Sequence, residues 1–541
     1  MREKQQILRS AGLVSFLTLL SRFLGYARDL ALAILLGTSL AADAFVIAFR
    51  IPNLLRRLTA EGGMTGAFVP VFSQYRSEQP DKAWEFANRM FWTLGSVLVG
   101  ITVLGIVFAP GLVRVFTFLS PHPEQWSLAV LLTRITFSYC VLIALTALAS
   151  AALNTVGVFG LPAATPILLN LAIIGAAVVA YLTGYEQAAL ALAVGVVVGG
   201  ALQLAVQIPA LWRRGMRFGF GISFNHPGVR RVGRLLLPAF AGVGIYQVNV
   251  LVSTIFATSA WVPKGSVAAL YYADRVMEVA LGVYAISVAT VILPVLSQQA
   301  VGRDLGAMKQ TLGFAFRNVG FIVLPACVGL IVLHEPIIRV LFEHAAFGSH
   351  STLLTARALV FYAVGLPAFA AVRLVVQPFY ALQDTATPMR MAGVALLANI
   401  ILCYVLVQVQ PLKHAGLALA TSLASYVNFF SLYLILRRRV GPVEEWRVGV
   451  SLLRAVAASA GMAGVCWTLN RAFGLMAIES FVVLAVLFVL TLVAAIAAYV
   501  FLSWLLGAEE LPEMHALVLR RQKQVPSGGA TAAVPSTPRN N

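Results

Sequence analysis

Charged residues are scarce in this chain, and their scarcity decides its class. Asp, Glu, Lys and Arg make up 11% of the 541 residues, whereas a soluble domain has about 25%. Hydrophobic residues make up 60%. These values exclude a soluble enzyme with a single anchor. They predict an all-α polytopic membrane protein whose helices each cross the bilayer with about 20 apolar residues.

The patterns of catalytic and metal-binding sites are lacking too. The sequence has no HExxH, GxSxG, P-loop or CxxC pattern, so we expect no catalytic residue and no metal site. Its four cysteines lie inside apolar runs without ligand spacing and are expected to be core residues. We interpret the net charge of +18 first as a topology signal and only then as affinity for an anion, and we expect no nucleic-acid partner.

Long apolar runs divide the chain into fourteen candidate spans. With the N-terminus on the cytoplasmic side, the outer loops hold only five Lys or Arg, while clusters such as Arg213, Arg214 and Arg217 fall in the inner loops. Basic residues are enriched in cytoplasmic loops, so this bias predicts that both termini are cytoplasmic. The spans lie near residues 10–36, 43–72, 88–110, 126–153, 162–183, 187–211, 232–258, 267–297, 312–333, 352–381, 389–408, 414–436, 450–470 and 476–505.

The two halves of the chain resemble each other in order. FVPVFS at 68–73 resembles ILPVLS at 292–297, and APGLVRVF at 109–116 resembles EPIIRVLF at 335–342. The offset corresponds to six spans, an even number, so the halves should run parallel. Two such lobes around a midplane site are typical of transporters. We predict an N-lobe (1–211), a C-lobe (212–440), two extra helices (441–506) and a largely disordered cytoplasmic tail (507–541).

Residues 21–63 carry eight charged side chains within otherwise membrane-spanning sequence. A charge at the bilayer centre costs about 2.5–3.5 kcal/mol on insertion scales, so these groups must face water, protein or an anion. Arg22 and Asp29 share a helix face, whereas Arg28 points about 100° away from Asp29. The eight residues are Arg22, Arg28, Asp29, Asp43, Arg50, Arg56, Arg57 and Glu61.

Two interpretations of these charges stand side by side. In one, the charges neutralise each other between helices, as Asp274, Arg275 and Glu278 can along the eighth span, and Arg57 anchors in lipid headgroups. In the other, arginines from both halves line a cleft and bind a phosphate or another anion, because guanidinium groups donate bidentately.

Four further residues are secondary candidates. Gly25 permits either a hinge in the first span or close helix packing. Arg50 adds a cation to the second span. Gln247 and Asn249 are buried amides, for which hydrogen bonds between helices are the more typical role.

Six stretches together resemble the MurJ (MviN) family of bacterial lipid II flippases, in the multidrug/oligosaccharidyl-lipid/polysaccharide exporter superfamily. The likeness extends over nearly all of the chain except its last thirty residues. The stretches are SRFLGYARD (21–29), AADAFVIAFRIPNLLRRLTAEG (41–62), AFVPVFSQY (67–75), GSVAALYYADRVMEVALGV (265–283), FYALQDTATP (379–388) and PLKHAGLALA (411–420).

The resemblance implies fourteen helices in two six-helix lobes around a central cavity, with a groove for a lipid tail on the last two helices. It implies that lipid II, undecaprenyl diphosphate carrying a disaccharide-pentapeptide, moves from the inner to the outer leaflet of the bacterial inner membrane. By motif match, the substrate-binding residues would be Arg22, Arg28, Arg56 and Arg275. The matching acids would be Asp29, Asp43, Glu61 and Glu278, to which the charge pattern adds Asp274.

Two positions depart from the family's pattern. Some members bind sodium through an Asn and an Asp one turn apart on the eleventh helix, whereas here Cys403 follows Asn399, so a sodium site is not favoured. Arg50 stands where a relative has Lys, which keeps the charge. No cofactor is expected, and the sequence leaves open a membrane potential or an ion gradient as the energy source.

The expected mechanism is alternating access without chemical change. The diphosphate binds the arginines, the lobes rock about the site, and the acids then compete for the arginines and release the ligand. Lipid II and membrane lipids are the expected partners of a monomer, with cell-wall synthesis proteins left open. Rival functions are export of drugs or another lipid-linked glycan, an intramembrane enzyme acting on lipid diphosphates, and a scaffold for cell-wall synthases.

Overall fold

The computed structural model describes residues 2–60, 63–121 and 126–513, without the side chains of residues 2–11, 55–60, 63, 65, 237–246, 283 and 284. These ranges form twenty helices and no strand. In chain order the helices are α1 (Arg2–Leu36), α2 (Leu40–Ala60), α3 (Gly63–Glu78), α4 (Pro80–Val107), α5 (Ala109–Phe116), α6 (Ser127–Phe137), α7 (Tyr139–Thr155), α8 (Gly160–Thr183), α9 (Ala188–Ala205), α10 (Gln207–Arg213), α11 (Pro227–Ala257), α12 (Ser266–Val301), α13 (Leu305–Val332), α14 (His334–Phe342), α15 (Ser349–Val375), α16 (Gln377–Ala381), α17 (Ala386–Val407), α18 (His414–Val440), α19 (Glu445–Phe473) and α20 (Phe481–Leu505).

The all-helical, membrane-spanning class is confirmed. Within the described ranges, ten helical stretches are long and apolar enough to cross a bilayer, and α12 is an eleventh if its two arms, which meet at 45°, form one span. Every predicted span falls on a helix or on consecutive helices, and the span predicted at 43–72 is divided between α2 and α3. The exact number of fourteen spans stays a prediction.

A matching break supports the internal repeat. Helix α4 gives way to α5 at Phe108, and α13 gives way to α14 at Leu333. Both residues have nearly the same backbone angles, φ −88° and ψ 12° against φ −104° and ψ 21°. Pro110 and Pro336 each follow the break by two or three residues, where a missing N–H costs a new helix nothing.

Packing places a cavity between helices of the two sequence halves. In the first half α1 packs on α8, α8 on α9, and α2 on α6 and α7. In the second half α12 and α18 pack on α15, and α17 packs on α18. Helix α13 packs on α19, which in turn packs on α20. Helix α12 also contacts α2, and α11, which packs on α17 of its own half, also contacts α3. The α12–α2 and α11–α3 pairs therefore connect the halves.

A buried arginine fixes the chain after α20. Both terminal nitrogens of the Arg317 side chain, which is 4% exposed, contact carboxylates: Nη1 lies 3.3 Å from Glu510 and Nη2 lies 3.2 Å from Glu513. A buried guanidinium without such partners would cost several kcal/mol. The first residues of the predicted disordered tail therefore pack on α13, whereas residues 514–541 lie outside the description.

Asp384 organises the turn of the FYALQDTATP stretch. Its carboxylate accepts hydrogen bonds from the Thr387 hydroxyl at 2.6 Å and the Thr387 backbone N–H at 2.9 Å, and from Arg439 on α18 at 2.5 Å. The Thr387 bonds, followed by the Arg439 guanidinium, lower the pKa of Asp384 to about 2. Asp384 thus caps the start of α17 and joins it to the end of α18.

We expect Asp384→Ala to destabilise the protein by about 1 kcal/mol at neutral pH, the usual value of a helix cap. Because folding lowers this pKa from its ordinary value of about 3.9, the contribution is complete above about pH 4 and is lost as the pH falls towards 2. Thermal unfolding of both chains across that window measures it. A difference between wild type and variant that did not shrink towards pH 2 would contradict the assignment.

Candidate functional site

A cavity of about 2470 Å³ lies between the two sequence halves. Its walls come from α1, α2, α7 and α8 on one side and from α11, α12, α15, α17 and α18 on the other. Five arginines against three carboxylates make the described part of this lining net basic. These residues are Arg22, Arg28, Arg50, Arg275, Arg373, Asp29, Asp274 and Glu278.

Asp29 is shared between two arginines of different halves. The Arg28 side chain, on α1, donates to Asp29 Oδ1 from Nε at 3.0 Å and from Nη2 at 2.7 Å. Arg275 Nε, on α12, lies 3.8 Å from Asp29 Oδ2. The three residues therefore form one cluster on the cavity wall, bringing together groups 246 residues apart in the sequence.

Neutral partners hold this cluster in place. Asn170 on α8 accepts from Arg28 at 3.2 Å and donates to the Ser21 carbonyl at 3.1 Å. The Tyr271 hydroxyl donates to Asp29 at 2.9 Å, and the Arg275 guanidinium lies 4.9 Å from the centre of the Tyr271 ring. These contacts orient both guanidinium groups at the cavity wall, an arrangement that favours binding of an anion.

The cluster can exchange its carboxylate for a phosphate. Asp29 is 4% exposed at its side chain, Arg28 14% and Arg275 25%, so the arginines face the cavity while the acid lies behind them. Arg275 also pairs with Glu278 at 2.5 Å. Phosphate and carboxylate oxygens suit the same guanidinium geometry, so the geometry of the cluster is compatible with either group.

Other predicted residues surround this cluster. The exposed Arg22 guanidinium lies beside Gly282 of α12, and Arg50 donates to the Thr254 hydroxyl on α11. Asp274 and Gln247 line the cavity. Gly25 lies in an unbroken helix where an added Cβ would be 3.7 Å from Asn170, which is ordinary packing.

Three predicted residues are not part of the described cluster. Asp43 was expected as a cavity acid, but it lies outside the lining and accepts from two backbone N–H groups at the start of α12, Gly265 at 2.9 Å and Ala268 at 2.8 Å. The N-terminus of α12 leaves such donors unsatisfied, and a carboxylate stabilises them. The side chain of Arg56 and all of Glu61 lie outside the described residues.

The end of the cavity near Asp43 and the start of α12 is closed by loop contacts. The Thr38 and Ser351 hydroxyls are 2.8 Å apart, and the Ala346 N–H donates to the Ile34 carbonyl at 3.1 Å. Gly265 has a φ of +83°, and a Cβ there would lie 1.9 Å from the Thr38 carbonyl oxygen. Only glycine allows so close an approach. From this closed end the cavity lining extends to Asn154, near the last residue of α7, and to Met389, near the first residues of α17.

Sequence reasoning missed two of these partners and underrated a third. Tyr271 was not singled out, although its position one turn before Arg275 places it on the same face of α12. Thr254 was not considered because a lone threonine in a span has no distinctive signal. Asn170, like Gln247 and Asn249, is an amide inside a predicted span, for which the sequence indicates only helix packing. It does bond α1 to α8, but it also orients Arg28.

The position of the sodium pattern holds an amide pair. Asn399 donates to Asn249 Oδ1 at 2.8 Å, and Cys403 Sγ lies 3.7 Å from Asn399 Oδ1. Among the described residues, no group of three His, Cys, Asp or Glu is placed to hold a metal ion. The hydrogen bond between the amides joins α11 to α17, and Asn249 also lines the cavity.

A second, apolar groove of about 690 Å³ runs along α20. Its lining contains Val493, Val500, Phe501 and Trp504, with Leu511 from the chain after α20. All of these side chains are apolar or aromatic, so the groove suits a hydrocarbon chain.

A polytopic helical fold with a basic cavity closed at one end defines a membrane transporter. A family model described as lipid II flippase MurJ matches residues 32–489. The chain therefore belongs to the lipid II flippase MurJ family, whose members are transporters rather than enzymes.

Individual relatives and structures agree with this membership. A probable lipid II flippase MurJ from Vibrio cholerae is 36% identical over 439 residues, covering 79% of this chain and 82% of the relative. The lipid II flippase MurJ from Burkholderia cenocepacia is 35% identical over 516 residues, covering 93% and 98%. A solved structure titled lipid II flippase MurJ, inward closed conformation, has a TM-score of 0.75 at 27% identity, covering 91% of this chain and 98% of that one. An inward-facing multidrug resistance MATE family transporter of the MOP superfamily, at 15% identity and a TM-score of 0.63 over 78% of this chain and 96% of that one, shares the fold.

Proposed function

We propose that this chain is a flippase that moves lipid II from the inner to the outer leaflet of a bacterial inner membrane, for peptidoglycan synthesis. The observation that carries the proposal is the pair Arg28 and Arg275, which face one cavity from different sequence halves and share Asp29. A diphosphate carries two phosphate groups, one for each guanidinium, and arginine binds phosphate bidentately. The rest of the substrate, the undecaprenyl chain and the disaccharide-pentapeptide, is inferred from membership of the lipid II flippase family.

The cycle that this cavity supports is alternating access. Two six-helix lobes, residues 1–211 and 212–440, rock about the arginines. The outer end is closed by the bonds that Gly265 and Ala268 donate to Asp43 and by the contact between Thr38 and Ser351. The cavity is then open to the cytoplasm, with both termini on that side. The basic lining does not suit the cationic drugs of a multidrug exporter.

Other parts of the molecule take supporting roles in this proposal. The 441–506 helix pair accommodates the lipid tail, for which the apolar groove on α20 is the supporting feature. Cations such as sodium are not coupled through the Asn249–Asn399 pair, because neutral amides that bond each other offer a cation few free ligands. The flippase acts as a monomer, driven by the membrane potential or an ion gradient.

Asp29 releases the substrate by competing for the arginines. Asp29→Asn removes this competitor, so lipid diphosphate should bind about tenfold more tightly, the effect of about 1.4 kcal/mol. Turnover should fall because release slows. Binding of undecaprenyl diphosphate and the flipping rate, measured on the same preparation, separate the two effects. Weaker binding by this variant would instead make Asp29 a support of the arginines.

Reconstituted vesicles test the function itself. Fluorescent lipid II placed in one leaflet should appear in the other only when the protein is present, and the recovered lipid should be chemically unchanged. A second isoprenoid diphosphate with a different glycan, and a cationic dye, distinguish the rival exporters. Transport of the dye but not of lipid II would overturn the proposal, and cleaved lipid would indicate an enzyme.

A further inference from the structure

The segment that joins the two sequence halves is fixed on the side of α4. This linker segment, residues 212–226, comprises the last two residues of α10 and the chain that follows them up to the start of α11 at Pro227. Asn88 donates to its Gly219 carbonyl at 2.6 Å, and its Ser223 N–H donates to the Thr93 hydroxyl at 2.9 Å. Ring contacts add to these bonds, with Phe220 5.2 Å from Trp92. The segment therefore has a defined face towards the protein and another away from it.

The exposed side chains of the linker segment include aromatic and basic groups. Phe220 is 77% exposed, and Phe224 and Trp212 are each 58% exposed. Arg217 is exposed too, with its guanidinium 5.5 Å from the centre of the Trp212 ring. Exposed aromatic rings next to arginines are typical of protein surfaces at the membrane–water interface.

Contacts with α4 indicate how deep each part of the linker segment lies in the membrane. The linker segment runs along α4 from Trp84, which Gly215 touches, to Thr93. Nine helical residues correspond to about 13 Å along the helix axis. The apolar span predicted on α4 begins at 88. This boundary predicts that Phe220 lies at the edge of the hydrocarbon layer and the arginines near Gly215 at the level of lipid phosphates.

The basic charge of this surface is not neutralised by the protein. The sequence has no Asp or Glu between Glu186 and Asp274. On the facing helix α4, Glu85 lies 3.6 Å from Arg89. Within the described part of the chain, no carboxylate forms a salt bridge with the three exposed arginines of the linker segment, which are Arg213, Arg214 and Arg217.

We infer that the linker segment is a binding surface for anionic phospholipid headgroups of the inner leaflet. Arg213, Arg214 and Arg217 bind the phosphates, while Phe220 and Phe224 enter the interfacial layer. This site is separate from the cavity, and the inference does not depend on the transported substrate. Because the segment connects the two halves, bound lipid also fixes the start of α11 relative to α4.

The test is a titration of the purified full chain, in neutral detergent, with phosphatidylglycerol and with phosphatidylcholine. Wild type should bind phosphatidylglycerol preferentially and more weakly as salt increases. The triple variant Arg213→Gln, Arg214→Gln, Arg217→Gln should bind it about 100-fold more weakly, since each basic residue at an anionic surface contributes about 1 kcal/mol. The corresponding lysine triple should retain most of the affinity.

A matched control removes the same charge elsewhere. Arg303, Arg390 and Arg438 are exposed at predicted inner ends of other helices, and their glutamine triple should bind like wild type. Equal losses in both glutamine triples, or equal affinity for the two lipids, would overturn the inference. So would binding of undecaprenyl diphosphate alone at this surface, which would indicate substrate recruitment, or equal competition by inorganic phosphate. Unfolding temperatures in neutral lipid check that every variant is folded. If the glutamine triple variant is not folded, the lysine triple variant tests the site.

Discussion

A chain with both Arg28→Ala and Arg275→Ala is expected to insert into the membrane but to lose lipid II flipping. Each arginine contributes charge-assisted hydrogen bonds worth about 1.5–3 kcal/mol to a bound phosphate. Losing both lowers the flipping rate at limiting substrate by about 100- to 10,000-fold. The single variants should be intermediate. Flipping of fluorescent lipid II in vesicles containing equal amounts of protein measures the loss.

The control for this double variant replaces two arginines that lie outside the cavity. Arg134 and Arg357 lie on the membrane-spanning helices α6 and α15, with exposed side chains that do not line the cavity. Their double alanine variant should flip normally. Removing Arg28 and Arg275 also leaves Asp29 with fewer partners, so a third variant, with Asp29→Asn added, separates lost binding from lost folding. Wild-type flipping by the Arg28, Arg275 double variant would refute the arginine site.

Asp43→Ala is expected to open the closed end of the cavity and to abolish transport. The two backbone N–H groups that donate hydrogen bonds to Asp43 are buried, and leaving each of them unsatisfied costs about 1–3 kcal/mol. A penalty of about 3 kcal/mol changes the balance between the two end states about 100-fold. Cysteines placed at Thr38 and Ser351, whose hydroxyls touch, should cross-link rapidly in the parent chain and slowly after Asp43→Ala.

Asp304→Ala is the matched control for Asp43. Asp304 also accepts a backbone N–H, from Ala307 at 2.8 Å, but it caps its own helix α13 and is exposed. Its removal should leave both the cross-linking rate and the flipping rate unchanged. An unchanged cross-linking rate after Asp43→Ala would show that other contacts close the cavity.

The helices follow from the sequence because their signals are local, whereas the meeting of arginines from both halves was one of two interpretations that the sequence left open. Apolar runs located the spans, and the cost of charges in lipid predicted that Arg22, Arg28 and Arg275 would not face the bilayer. The repeat matched APGLVRVF with EPIIRVLF, and in the structure a helix break precedes each of these two stretches. Each inference needed only spacing along one helix or an ordered comparison of the two halves.

The partners of the charged groups did not follow, because they depend on side-chain reach and on the backbone. Helical spacing directs Arg28 about 100° away from Asp29, yet the long arginine side chain folds back onto its neighbour. The partner of Asp43 is the unsatisfied start of another helix, 222 residues away, and such a backbone site has no residue signature. A pairing with a backbone amide across the molecule is visible only once the helices are packed.

The most direct test of the account is a cryo-EM structure of the protein with undecaprenyl diphosphate bound. Phosphate oxygens are expected within about 3 Å of the Arg28 and Arg275 guanidinium groups, with Asp29 no longer bonded to Arg28. Phosphate density elsewhere, with the bonds between Arg28 and Asp29 intact, would contradict it.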